Sequence, residues 1–253
     1  MKGVMILTEG RSGSNWLGSL TSKTALMGKS DEWLSSGNVR NGAKTRNTVE
    51  YLDEVANLAA TDNNFFSIKI FPKHLHRFQR TANIDAVKYL YDKHDVRLIR
   101  LIRKDIFRQA LSYGRGLQTR QWTSSKTAKR EAHYDFELFC SCFFMIRQSY
   151  AFWDAYTQFR NLPCEVIYYE DMVKDPTPYV KCIAEHANVE LPDIPQSPLE
   201  IQRDDLTEVW LKRFKDQIAS DHTALSLPNG PFPRTSLNFA RLMAARPLKY
   251  DKL

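Results

Sequence analysis

The first 26 residues constrain the fold of this chain more than any other segment. Val4 to Thr8 form a short apolar run of the kind found in buried parallel strands. Gly10 and Gly13 interrupt this run, and apolar residues then recur at helical spacing to about Leu26, with Ser14 as the expected N-cap. A strand, a glycine turn and a helix in this order are typical of a phosphate-binding loop.

The same alternation of strands and helices continues along the chain. Short apolar runs predict strands, and longer amphipathic stretches predict helices. The further predicted strands are 65–71, 96–102 and 164–169, and the further predicted helices are 45–60, 105–117, 134–160, 175–188 and 206–219. This order favours an α/β protein with one P-loop-like parallel sheet flanked by helices on both faces. We expect residues 1–219 to form a single domain and the irregular residues 220–253 to pack on it, or to act as a lid or an oligomer arm.

Composition narrows the classes of function without selecting one. The 253 residues carry a formal net charge of +7, which would attract a nucleotide, a nucleic acid or an anionic membrane. No run of five Lys or Arg residues occurs, so a nucleic-acid-binding tail is not favoured. The apolar start of the chain is too short for a signal peptide, and no run of 18 apolar residues is present. We therefore expect a cytoplasmic protein without an integral membrane segment.

Four cysteines are present, at Cys140, Cys142, Cys164 and Cys182, and no two of them form a CxxC pair. Cys140 and Cys142 also fall inside a predicted helix. We interpret all four as buried thiols and expect no metal site.

The turn after the first strand has the chemistry of an anion site. A helix N-terminus offers unpaired backbone N–H groups and a partial positive charge. Gly13 allows close backbone approach, Ser12 and Ser14 add hydroxyl groups, and Arg11 adds a guanidinium. The spacing G-x-x-x-x-G-K-[ST] of a Walker loop is absent. An ordinary strand-to-helix turn with a capping serine is the alternative.

The stretch from Arg11 to Trp16 (Arg-Ser-Gly-Ser-Asn-Trp) resembles the 5′-phosphosulfate loop of sulfotransferases. The resemblance implies that these six residues bind the 5′ end of a nucleotide and that Trp16 stacks on its adenine. Asn15 stands where the family more often has Ser or Thr. The chain is therefore expected to have the sulfotransferase fold, and the resemblance extends over roughly residues 3–215.

A second candidate site lies at the end of the third predicted strand. Ligands bind at the carboxyl ends of the strands in open parallel sheets, and Arg103 stands at that edge. Arg103 to Ser112 resembles the 3′-phosphate motif of sulfotransferases, which implies 3′-phosphoadenosine 5′-phosphosulfate (PAPS) as the co-substrate. The stretches 109–113, 118–122, 134–136 and 169–172 resemble one subfamily, the bacterial trehalose 2-sulfotransferase type. A surface salt bridge is the plain alternative for Arg103 alone.

Sulfuryl transfer requires an acceptor hydroxyl in line with the sulfur and positive charge at the leaving oxygen. Fixed cations can supply this charge without a metal, and Arg11 and Lys69 are the candidates. Lys69 stands near the end of the second predicted strand, where sulfotransferases have a lysine that contacts the sulfonate. A solvated lysine at a strand end is the alternative interpretation.

The acceptor must also lose a proton to a base. Cytosolic sulfotransferases have a histidine two residues after that lysine, where this chain has Phe71. In the trehalose 2-sulfotransferase type, a glutamate 21 positions after the loop arginine is the proposed base, and Glu32 stands at that interval from Arg11. Glu32 is therefore the first candidate for the base and for an acceptor contact. Asp31 and His74 remain open.

The resemblance further implies that Tyr169 contacts the adenine and favours a carbohydrate or glycolipid acceptor. Trp122 is a candidate for contact with a sugar acceptor, and packing in the hydrophobic core is an equally good interpretation. Two other functions compete: a kinase-like phosphotransferase, and a non-catalytic basic module that binds nucleotides or nucleic acid. We expect a small-molecule or glycolipid acceptor and no nucleic-acid partner, and a homodimer stays open.

Overall fold

The structure is a computed structural model, and it describes residues 1–35, 49–123, 127–191, 193–194, 197 and 205–220. The expectations about the tail beyond residue 220 lie outside the described residues. The first residues of the helix predicted at 45–60 also lie outside them.

Over the described residues, four parallel strands form the sheet, in the order β2-β1-β3-β4. They are β1 (Lys2–Leu7), β2 (Phe65–Ile70), β3 (Asp95–Ile102) and β4 (Cys164–Tyr168). β1 is central, and Leu7 is paired with Ile70 on one side and with Arg100 on the other. This arrangement confirms the predicted parallel sheet and brings the carboxyl ends of all four strands to one edge.

Helices surround the sheet over the described part of the chain. They are α1 (Ser14–Ser22), α2 (Val49–Leu58), α3 (Pro72–Ala82), α4 (Ala86–Lys93), α5 (Ile106–Thr119), α6 (Phe136–Phe159), α7 (Tyr169–Lys174), α8 (Thr177–Ala187) and α9 (Asp205–Ser220). None of these described helices combines the length and apolar character needed to cross a bilayer.

Both faces of the sheet are covered, as the alternating side chains of β1 show. Met5 and Leu7 belong to a core cluster with residues of α2, α3, α4 and α6. Val4 and Ile6 belong to a second cluster with residues of α1, α7 and α8. A third cluster, which includes Phe139, joins α5, α6 and α9 beside the sheet. The prediction of helices on both faces is therefore confirmed.

Three helices were not predicted: α3, α4 and α7. Pro72 follows the predicted strand 65–71 and occupies the first position of α3, where its fixed φ suits a helix. Asp85 begins α4 by accepting a hydrogen bond from the backbone N–H of Lys88. Tyr169 was predicted as the last residue of a strand and is the first residue of α7. Helix α1 ends at Ser22 instead of about Leu26.

The interpretation of the cysteines was correct for two of them and wrong for the other two. Cys140 and Cys142 are buried in α6, whereas Cys164 and Cys182 are partly exposed, and all four are free thiols. Cys164 lies on β4, the edge strand of the sheet, and in the described part of the chain no further strand covers its outer side.

Two residues between α1 and β2, Ala25 and Gly28, have a left-handed backbone conformation. We expect substitutions at these two positions to change the free energy of unfolding in opposite directions. Gly28 has φ +78°, and a Cβ there would lie 2.4 Å from the backbone nitrogen of Ser67 in β2. Gly28→Ala should lower the free energy of unfolding by about 2–4 kcal/mol. Ala25 has φ +54° and is exposed. Ala25→Gly should therefore raise the free energy of unfolding by about 0.5–1 kcal/mol, because it relieves the strain without creating a contact. Urea denaturation of both variants measures the two changes in the free energy of unfolding. If both substitutions change it in the same direction, this account is wrong.

Candidate active site

A cleft of about 1090 Å³ opens at the carboxyl edge of the sheet. The predicted site residues that line it are Arg11, Gly13, Ser14, Asn15, Trp16, Glu32, Lys69, Arg103, Ser112, Trp122 and Tyr169. They come from the end of β2 and from the segments that follow β1, β3 and β4. The sheet topology therefore brings together residues that are up to 158 positions apart, from Arg11 to Tyr169.

The loop between β1 and α1 (residues 8–13, the β1–α1 loop) presents a helix N-terminus to this cleft. Gly13 is the N-cap residue, with φ 95°, and no side chain caps the helix. Ser14 is the first helical residue, so its expected role as N-cap was wrong. A Cβ at Gly13 would lie 2.3 Å from the ring of Tyr169. Only glycine fits this position, because it tolerates the left-handed conformation and the close ring.

Ser12 is the one predicted binding residue whose side chain does not reach the cleft. It is fully buried, and its hydroxyl forms a hydrogen bond of 2.8 Å with the Thr8 hydroxyl. Thr8 in turn lies 2.6 Å from the carbonyl oxygen of Leu101 in β3. Ser12 therefore ties the loop to the sheet, and its expected role as a hydroxyl donor to the ligand is corrected.

Buried side chains satisfy the backbone of the loop at Glu9 and Gly10. The Glu9 carboxylate accepts hydrogen bonds from the Gly10 backbone N–H and from the Ser149 hydroxyl, both at 2.8 Å. The Gly10 carbonyl oxygen accepts from the Gln109 amide at 2.9 Å. Tyr150 donates to Gln109 at 2.9 Å. Helices α5 and α6 thus fix the loop from the side opposite to α1.

The two predicted arginines form one cluster with Ser112 and Tyr169. Arg11 Nε donates to Ser112 Oγ at 2.8 Å, and its Nη1 donates to the carbonyl oxygen of Trp122. Arg103 Nη1 donates to the Arg11 carbonyl oxygen at 3.1 Å, and its guanidinium lies 4.6 Å from the centre of the Tyr169 ring. Ser112 thus contacts Arg11, whereas the sequence suggested that it shares one ligand group with Arg103.

The cluster holds its positive charge away from water. Burial, together with the charge of Arg103, lowers the pKa of Arg11 to about 10. Burial also lowers the pKa of Arg103, against the opposing effect of Tyr169. Arg103 Nε is buried, and among the described residues it has no hydrogen-bond partner. A buried guanidinium nitrogen without a partner is costly, so Arg103 favours an anionic ligand.

Lys69 supplies a third buried cation, with 3% of its surface exposed. Its Nζ donates to the side-chain oxygen of Asn15 in α1 and lies 3.8 Å from Asp31. Burial lowers the pKa of Lys69, although the nearby Asp31 and Glu32 act in the opposite direction. The side chain of Asn15, which departs from the pattern of the family, therefore contacts the predicted catalytic lysine.

Glu32 lies beside Lys69, and 32% of its side chain is exposed. Burial raises the pKa of Glu32, and the charge of Lys69 partly opposes this effect. His74 is deeply buried at 3% exposure, and its Nε2 lies 3.9 Å from Glu32 Oε2. The three candidate bases thus lie near one another. Asp31 and Glu32 line the cleft, whereas His74 does not.

Comparison with known proteins identifies the family. Residues 3–217 match the model of the family described as Stf0 sulphotransferase. The chain belongs to the Stf0 sulphotransferase family. This is the family of trehalose 2-sulfotransferase, so the resemblance noted in the sequence is confirmed.

Among solved structures, the chain is similar to a sulfotransferase from Alicyclobacillus acidocaldarius, with 14% sequence identity and a TM-score of 0.48. The alignment covers 87% of this chain and 97% of that one. A search of curated proteins finds no match.

Two further arginines line the cleft of this Stf0-family protein and were not singled out in the sequence. Arg108 and Arg115 stand on the same face of α5 as Ser112, at positions i, i+4 and i+7. Arg108 pairs with Glu208, and Arg115 donates to the Thr207 hydroxyl at 2.6 Å, so both also hold α9. The helical spacing of 108, 112 and 115 was the signal that could have revealed them.

Aromatic side chains form another part of the cleft wall. Trp122 is half-buried, and its ring meets the edge of Tyr113 with 5.5 Å between centroids. Trp16 is likewise partly exposed to the cleft. Trp122 thus combines packing with exposure to the cleft, and both interpretations from the sequence stay open. Among the described residues, no group of three or more His, Cys, Asp or Glu side chains could hold a metal ion.

Gln109 is the residue on which the position of the loop is expected to depend most. Gln109→Leu would remove the donor to the Gly10 carbonyl and the acceptor of the Tyr150 hydroxyl. Among the described residues, this hydroxyl would keep only its bond from the Arg103 backbone N–H. We expect a loss of about 2–4 kcal/mol in the free energy of unfolding, measured by urea denaturation. Gln148→Leu, at an exposed position of α6, is the matched control and should change stability by about 0.5 kcal/mol or less. A similar effect of the two variants would show that the contact of Gln109 with the loop contributes little.

Proposed function

We propose that this protein is a sulfotransferase that moves a sulfuryl group from PAPS to a hydroxyl of a carbohydrate or glycolipid. Membership of the Stf0 family supports sulfuryl transfer in general. The observation that carries the finer proposal is the set of buried cations, Arg11, Arg103 and Lys69, around one cleft at a helix N-terminus. Such a cleft suits a ligand with several separate anionic groups.

The residues fit a nucleotide that is phosphorylated at two positions. The uncapped N-terminus of α1 and the side chain of Asn15 would hold the 5′-phosphosulfate, with Trp16 against the base. Arg103 would bind the 3′-phosphate through its Nε, which has no hydrogen-bond partner among the described residues, and Ser112 would assist it. Tyr169 would contact the adenine beside Gly13. Arg115 lies on the same face of α5 as Ser112 and would strengthen the positive electrostatic potential at the 3′-phosphate.

In the proposed reaction, the acceptor oxygen forms a bond to sulfur while the bond between sulfur and the bridging phosphate oxygen breaks. Glu32 takes the proton of the acceptor hydroxyl, and the raised pKa of this carboxyl makes it a more effective proton acceptor. Lys69 and Arg11 stabilise the negative charge that develops on the leaving oxygen. The three residues line the same cleft, and no metal ion is needed for these roles.

The acceptor side of the cleft is compatible with a sugar. Trp122 offers a partly exposed aromatic face to the apolar C–H surface of a carbohydrate. Gln121 and Thr119 add polar groups beside it. We therefore propose a sugar hydroxyl as the acceptor, free or as part of a glycolipid, and transfer from labelled PAPS to a panel of sugars and glycolipids tests this assignment.

Calorimetry distinguishes the proposed sulfotransferase from a kinase-like phosphotransferase and from a basic nucleic-acid-binding module. We expect 3′-phosphoadenosine 5′-phosphate to bind at least tenfold more tightly than ATP. A kinase-like phosphotransferase would prefer ATP with magnesium. A basic module for nucleic acid would bind single-stranded oligonucleotides more tightly than either nucleotide.

Arg103→Ala tests the assignment of the 3′-phosphate site. We expect this variant to bind 3′-phosphoadenosine 5′-phosphate more weakly by about 2–3 kcal/mol, because a charge-assisted hydrogen bond is lost. Its affinity for AMP, which lacks the 3′-phosphate, should change little. Lys104→Ala removes an equal charge at the next position, where the side chain is exposed, and serves as the control. Unchanged affinity of Arg103→Ala for the 3′-phosphorylated nucleotide would refute the assignment.

Glu32→Gln tests the base. Turnover should fall by roughly 100-fold or more, because the amide cannot accept the proton. Affinity for 3′-phosphoadenosine 5′-phosphate, measured by calorimetry, should stay within about threefold. In the wild type, turnover should rise with pH through the pKa of Glu32, above the usual range of a glutamate. If turnover of Glu32→Gln survives within about threefold, Asp31→Asn should be measured next, since Asp31 is the neighbouring carboxylate in the cleft.

A further inference from the structure

His74 occupies an unusual environment next to the proposed base. It lies in the first turn of α3, its ring stacks on Phe71 with 5.1 Å between centroids, and it is 3% exposed. Its Nδ1 accepts a hydrogen bond of 3.3 Å from the backbone N–H of Phe71. Since Nδ1 is an acceptor, a neutral His74 carries its proton on Nε2.

The Nε2–H group of His74 is buried and lies near the carboxylate of Glu32. Among the described residues, Nε2 has no hydrogen-bond partner. Glu32 Oε2 lies 3.9 Å away, which is beyond hydrogen-bond distance. The Glu32 side chain keeps about a third of its surface exposed, and a shift of about 1 Å would bring Oε2 within hydrogen-bond distance of Nε2. A buried donor without a partner is costly, so the pair gains stability when the bond forms.

We propose that His74 is a positioning residue that donates Nε2–H to one oxygen of Glu32 and leaves the other oxygen for the proton of the acceptor hydroxyl. The inference rests on the proposed function of Glu32 as base and extends it to a second residue. It also explains how one carboxylate oxygen is directed to the acceptor when Glu32 itself is partly exposed.

The same environment makes His74 unsuitable as the base itself. Burial lowers the pKa of His74 to about 3, so the ring is neutral where the enzyme is expected to work. In the neutral ring, Nδ1 is engaged by Phe71 and Nε2 already carries a proton. Neither nitrogen is therefore available to accept a proton from a substrate.

Other charged groups face this pair and must be kept constant in any test. Lys73 and Arg77 act on His74 from α3 itself. Among the described residues, the charges of Lys69, Lys73, Asp31 and Glu9 act on Glu32. Variants at position 74 leave all of these groups in place. A difference between two such variants can therefore be attributed to the presence or absence of a hydrogen-bond donor at the position of Nε2.

Two substitutions separate the functions of the two ring nitrogens. The amide oxygen of His74→Asn can still accept from Phe71, but this side chain has no donor at the position of Nε2. The amide of His74→Gln reaches that position and keeps the donor. Both are smaller than or similar to histidine and uncharged, so they control for each other. Thermal unfolding of the two variants establishes that each is folded before the comparison is made.

The first readout is the pKa of Glu32, measured by NMR titration of protein labelled with ¹³C at the glutamate carboxyls. The Glu32 signal is assigned by its absence in Glu32→Gln. Loss of the donor disfavours the ionised carboxylate, so His74→Asn should raise this pKa by about one unit. His74→Gln should keep it within about 0.3 units of the wild type. Equal pKa values in all three proteins, or equal shifts in both variants, would overturn the proposal.

The second readout is turnover with PAPS and an acceptor. His74→Asn should lower kcat by about tenfold and move the acidic limb of the pH profile upward, while His74→Gln stays near the wild type. In a Glu32→Gln background, His74→Asn should cause no further loss, since it acts through Glu32. A further tenfold loss there would overturn the positioning role. If the wild type transfers no sulfuryl group, the proposed function fails, but the NMR titration still decides whether His74 contacts Glu32.

Discussion

Hydrogen bonding of the β1–α1 loop is the constraint on which the site depends. Thr8, Glu9 and Ser12 are buried, so the polar groups of this loop cannot rely on water. Their partners come from β3, from α5 through Gln109 and from α6 through Ser149. These elements lie about 90 to 140 positions further along the chain. The loop therefore acquires its conformation only when the whole sheet and both long helices are assembled.

The same assembly places positive charge where it is poorly solvated. Arg103 donates to the carbonyl oxygen of Arg11 and rests against Tyr169, instead of pairing with a carboxylate among the described residues. The hydrophobic core must offset the cost of these desolvated cations. A polyanionic ligand would offset it directly, so ligand binding and stability of the folded state are coupled in this protein.

The sequence predicted the sheet well, because each strand is an apolar run bounded by glycine, proline or polar residues. It failed at α3 because no helix was predicted after the strand 65–71, although Pro72 suits the first position of a helix. The members of the cleft could be found from motif spacing. Their contacts could not, because the pairing of Ser112 with Arg11 and the burial of Ser12 depend on how α5 and β3 pack against the loop. Local patterns carry no information on such distant packing.

The position of Glu32 shows how the fold separates the two halves of the proposed reaction. Asp31 forms a parallel bridge with Ile68, and its carbonyl oxygen accepts from the backbone N–H of Lys69 at 2.9 Å. The segment that carries Glu32 thus extends the sheet beyond β2, on the side away from β3. The arginine cluster is held by the loop after β1, by β3 and by α5, whereas Glu32, Lys69 and His74 are held at the β2 edge. The two groups meet at Asn15 of α1, which accepts a hydrogen bond from Lys69, so a change at the β2 edge is transmitted to the proposed nucleotide site through this contact.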